Sequence, residues 1–99
     1  MNVLLIARER ALLGRVASQL ELHEIHADVT TNDDDALISI ATENLDAVVI
    51  GGGVRAPSRD RIVEAAAERN VRVVNGSLQG KDLDDYIRTE LMPALRAAP

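Results

Sequence analysis

Four short apolar runs punctuate the chain, and between them hydrophobic residues recur at helical spacing. Val3-Leu4-Leu5-Ile6-Ala7 is continuous rather than alternating, as expected of a strand covered on both faces. Arg8-Glu9-Arg10 then opens a helix that puts Leu12, Leu13, Val16, Ala17 and Leu20 on one side. Gly14 falls on the opposite side, at a cost of about 1 kcal/mol relative to alanine. His23-Glu24-Ile25-His26 connects this helix to a weaker strand, Ala27-Asp28-Val29-Thr30-Thr31. The alternating polarity and paired threonines of that strand predict an edge position. Asn32 or Asp33 is placed to cap a second helix, with Asp33, Asp34 and Asp35 at its positive dipole end. Leu37, Ile40 and Ala41 are expected to face inward, and Asn44 suits the stop.

The third run, Leu45-Asp46-Ala47-Val48-Val49-Ile50, passes straight into Gly51-Gly52-Gly53-Val54. Ala56-Pro57-Ser58 begins a third helix, since proline is tolerated in a first turn. Ile62, Val63, Ala65, Ala66 and Arg69 cover its length, and Asn70 fits a left-handed cap. Val71-Arg72-Val73-Val74-Asn75 reads as the fourth strand, followed by a loop over Gly76–Gly80. Asp82 is expected to cap the last helix, with Asp85 in a capping-box-like position. Leu83, Ile87, Leu91, Ala94, Leu95 and Ala98 form the apolar stripe of this helix. Pro93 predicts a kink or break there by removing the hydrogen bond to the Thr89 carbonyl.

The resulting βαβαβαβα order predicts one α/β domain over residues 1–99. Right-handed crossovers then give a four-stranded parallel sheet of order 2-1-3-4, with helices on both faces in a three-layer sandwich. Composition narrows the function classes. The hydrophobic fraction is 46%, yet Tyr86 is the only aromatic residue, so the core is aliphatic. Eleven basic residues against 16 acidic ones leave a net charge of −5, which argues against sequence-independent nucleic-acid binding. The absence of cysteine removes disulfides, thiolate nucleophiles and soft metal sites. No run approaches the roughly 18 apolar residues of a membrane span, and Met1-Asn2-Val3 leads into a strand without a basic leader. The expectation is a cytoplasmic protein that contacts neither nucleic acid nor membrane.

These strands and turns resemble the receiver domains of two-component response regulators, which are flavodoxin-like. Val3–Glu9 is similar to the family's first strand and acidic turn, and Leu45–Gly51 to its third strand, which ends in the phospho-accepting aspartate. The resemblance implies a magnesium-holding acidic pair, a hydroxyl after the fourth strand and a lysine after the fifth. Here the acidic pair is replaced by Ala7 and Arg8, and the acceptor by Gly51. The hydroxyl position falls at Asn75 or Gly76, with Ser77 displaced. A fourth helix and fifth strand of the family pattern are missing, and Lys81 lies in a loop. A methyl and a guanidinium cannot hold a hard cation. The resemblance therefore implies a degenerate receiver, or another flavodoxin-like domain, that takes no phosphate by the usual route; the expectation is a non-catalytic interaction or regulatory module in bacterial signalling, without cofactor or metal.

An alternative places a phosphate-like or nucleotide-like anion at the glycine turn, bound by Arg8, Gly51, Gly52, Gly53 and Asn75. Arg10, Arg55 and Arg59 also follow strand ends. The stretch is neither GxGxxG nor a GK[ST] step, and a flexible turn with solvated arginines accounts for it more simply. His23 and His26 read as surface histidines, and the aspartate run as helix capping. Ser77 lacks a nearby base, so catalysis is not expected. An open apolar fourth strand needs cover, either from the last helix and the Gly76–Gly80 loop or from another subunit. The expected partner is a protein, as a homodimer built on that strand and the adjacent third and fourth helices.

Overall fold

The computed structural model describes residues 1–76 and 82–96. Four strands, β1 (Asn2–Ile6), β2 (His26–Thr30), β3 (Ala47–Gly51) and β4 (Arg72–Gly76), form one parallel sheet of order β2-β1-β3-β4, as expected. Between them run α1 (Arg10–Leu22), α2 (Asp33–Thr42) and α3 (Ser58–Glu68). The last helix, α4 (residues 83–96), comprises α-helical Leu83–Tyr86, a π-helical turn Ile87–Leu91 and α-helical Met92–Arg96.

Strand alternation sorts the core into two layers. Leu4, Ile6, Val48 and Ile50 project to the face covered by α2 and α3, against Ala36, Ile40, Ile62 and Ala66. Val3, Leu5, Ala47 and Val49 project to the face covered by α1 and α4, against Leu13, Leu20, Ile87 and Leu91. Because both faces are covered, the two central strands carry consecutive buried residues. Each fully buried Leu or Ile is worth about 1.5–3 kcal/mol of transfer free energy. β2, at the edge, buries only Thr30 completely.

Several local expectations change. β2 begins and ends one residue earlier than expected, and β4 one residue later. Asn32 alone makes the α2 cap, its Oδ1 accepting the Asp35 N–H at 3.1 Å. Ala36 takes the inward position expected for Ala41, which is exposed, and Val63 is also exposed. α2 stops at Thr42, before Asn44. Pro57 precedes α3 instead of lying in its first turn. Asn70 has the expected left-handed φ of 57°. Its N–H bonds to the Ala67 carbonyl and that of Val71 to the Ala66 carbonyl, a Schellman end. α1 ends the same way, with Glu24 at φ 62°.

In α4 the Asp82–Asp85 capping box does not form: Asp82 makes no side-chain cap, and Asp85 pairs with Arg88 at 2.6 Å. The helix does not break at Pro93 but widens just before it. The buried stripe Leu83, Ile87, Leu91 and Leu95 is spaced by four. A straight 3.6-residue helix would rotate that stripe by about 40° per step, and the wider π turn takes up part of this drift. Ala94 is half-buried, and Ala98 lies outside the described residues.

Candidate functional site

A parallel sheet sends the turns after all its strands to one edge, and the crevice there is where such folds place ligands. The acid of the third run lies at the opposite edge, where the Asp46 Oδ2 accepts the Asn2 N–H at 2.7 Å. At the carboxyl edge β3 ends in glycine for want of space. A Cβ on Gly51 would stand 2.8 Å from the Ala7 Cβ and 3.4 Å from the Ile6 carbonyl oxygen. Neither Gly51 nor Gly53 has a left-handed φ, so close approach of β1, and not turn geometry, is what requires glycine at position 51.

Two arginines knit this edge, and they work separately. The Arg8 guanidinium turns toward β2 and α2, donating to the Thr31 carbonyl at 2.8 Å and to Asp33 Oδ1 at 2.9 Å. The other Asp33 oxygen accepts from the Ser58 hydroxyl at the start of α3. The Ser58 hydrogen bond, then the Arg8 hydrogen bond and charge, hold the Asp33 carboxyl below its usual range. Arg59 lies along the other side of the glycine turn. Its Nε donates to the Val54 carbonyl at 2.9 Å, and the same guanidinium donates to the Gly51 carbonyl at 2.7 Å and to the Asn75 side-chain oxygen.

The five residues of the anion reading therefore share an edge, but their side chains do not converge. Arg8 is bonded to Asp33, and Asn75 to Arg59. Arg10 and Arg55 are exposed. At the two positions considered for a hydroxyl, Asn75 is exposed and Gly76 is buried. Ser77, Lys81 and most of the Gly76–Gly80 loop lie outside the described residues. His26 starts β2 at the far edge, between Glu21 at 3.5 Å and Asp28 at 3.3 Å. Among the described residues no group of three or more His, Asp or Glu side chains could hold a metal.

Beside this polar edge lies an apolar cavity of about 300 Å³. Leu5, Ala7, Val49, Gly51 and Gly76 supply its floor. Leu12, Leu13 and Val16 of α1 form one wall, and Leu83, Tyr86 and Leu91 of α4 the other. Gly51 and Gly76 are direct cross-strand partners, so neighbouring strand ends present only backbone to this space. The sequence reading missed both this cavity and the Asp33 bridge. The signals were present: two glycines at equivalent strand ends, and opposite charges following neighbouring strands.

The sequence matches no protein-family model and no curated protein. The fold stands as a small α/β domain with a four-stranded parallel sheet, compatible with flavodoxin-like architecture. Among the described residues no helix is long and apolar enough to cross a membrane.

Proposed function

We propose that the chain is a receiver-like interaction or regulatory module that performs no catalysis and takes no phosphate by the aspartate route. The observation that carries this reading is the closed end of β3. Gly51 stands at the acceptor position with the Ala7 methyl 2.8 Å from where a side chain would begin, and its carbonyl is bonded to Arg59. Ala7 and Arg8 stand where the resemblance calls for metal-holding acids, and the Arg8 charge is matched by Asp33. The anion alternative has less support, because the two polar side chains it needs are bonded to other partners. Such a module acts through protein contacts, and among the described residues β4 has a strand on one side only, which suits pairing with a second copy.

Incubation with a small acyl-phosphate donor and magnesium, followed by intact-mass measurement, tests the central claim. The expected spectrum shows only the unmodified chain. A stable phosphate adduct overturns the reading.

A further inference from the structure

The cavity between α1 and α4 plays no part in the reading above, and its construction points to an occupant. The space is a half-open groove with apolar walls. This space is about 300 Å³, at the lower end of the range for small-molecule pockets. It lies where the chain reverses its order across the sheet, beside the ends of β1 and β3. Its floor is flat because Ala7, Gly51 and Gly76 occupy the carboxyl ends of β1, β3 and β4 on the same side as Leu5 and Val49. The single aromatic residue of the protein, Tyr86, stands over one end. Its hydroxyl lies 3.0 Å from where a Gly76 Cβ would be.

Two charged residues, Arg8 and Glu9, are among those lining this space. Arg8 contributes to the lining, but its guanidinium is bonded to Thr31 and Asp33. Glu9 is exposed, and the chain is net negative, which disfavours an anionic guest. An apolar cavity of about 150 Å³ suffices to take up benzene. We propose that this cavity binds a small, neutral, flat molecule of one or two fused rings, with indole as the representative probe. The ring lies on the glycine floor between the aliphatic walls, displacing water from the apolar side chains of α1 and α4.

Methyl-resolved NMR of the full chain titrated with indole tests this. Saturable shifts are expected in Leu5, Leu12, Leu13, Val16 and Val49, with a Kd below about 1 mM, as suits a ligand of this size. Val16→Phe fills the cavity from α1 and should weaken binding at least tenfold. Val63→Phe, on the exposed side of α3, should leave it unchanged. If Val16→Phe does not fold, as judged by circular dichroism, Leu12→Phe takes its place. Absence of saturation, shifts confined to other methyl groups, or equal affinity in the filled variant overturns the proposal. Tighter binding of indole carboxylate than of indole overturns its neutral-ligand assignment. The site involves no phosphate chemistry, so this outcome and that of the phosphodonor experiment are independent.

Discussion

Gly51 shows how one missing side chain can set the shape of an edge. The Ala7 Cβ would stand only 2.8 Å from a Cβ added there, and Ala7 directly follows central strand β1, whose backbone cannot move cheaply. Gly51→Ala is therefore expected to destabilise the fold by about 1–3 kcal/mol through overpacking. Gly53→Ala is the matched control: its nearest neighbour is the flexible Arg8 side chain at 3.8 Å, and it should fall within about 0.5 kcal/mol of wild type. Urea midpoints decide the matter, and equal midpoints for the two variants contradict the packing argument. Asp33 carries the second residue-scale prediction. Its folded pKa is lowered, so its contribution is present above the unfolded value of about 3.9 and is lost as pH falls through the folded one. Asp33→Asn should be less stable than wild type at pH 7, by at most about 1 kcal/mol because the pair is open to solvent. Urea titrations at pH 7 and pH 3 should show that gap shrinking in acid. A gap that stays constant excludes the carboxylate as its source.

At the scale of single elements, what could be read from the sequence was what short-range chemistry controls. Asn70 was legible as a helix end because asparagine tolerates the left-handed conformation that a Schellman end needs. Glu24 adopts the same conformation and was not legible, since glutamate has no such preference. Burial of Ile25 against the core, a tertiary effect, draws the chain round there. The π turn of α4 was legible only as a disturbance at Pro93. That it widens the helix without breaking it depends on keeping Leu83, Ile87, Leu91 and Leu95 on one face. Gly14 was fully legible: it lies inside α1, exposed, with no neighbour within 4 Å of an added Cβ. Gly14→Ala should stabilise the protein by about 1 kcal/mol. A chain of 99 residues turns that into a rise in Tm of several degrees. An unchanged or lowered Tm indicates that the glycine has a role beyond the helix.

For the whole molecule, alternating strands and helices with right-handed crossovers leave few topologies, and the order 2-1-3-4 follows from them. The site was less legible, because pairings such as Arg8 with Asp33 and Gly51 with Gly76 join turns that are distant along the chain. The same topology leaves one question of assembly. Among the described residues β4 pairs only with β3, and α4 closes over one face of β4 through Val74 and the Arg72–Ala94 hydrogen bond at 3.1 Å. Neither contact occupies the free edge. A two-fold axis beside β4 would pair the strand antiparallel with its own copy and join two sheets into one, removing an edge that proteins otherwise cover. The proposed self-association thus makes a specific prediction. Light scattering coupled to size exclusion at micromolar concentration should give about twice the 10.7 kDa chain mass. Val73→Lys, a charge at a half-buried position of the edge strand, should return the monomer mass while circular dichroism stays native. A wild-type chain that elutes as a clean monomer sinks the homodimer and leaves a different protein as the partner for this edge.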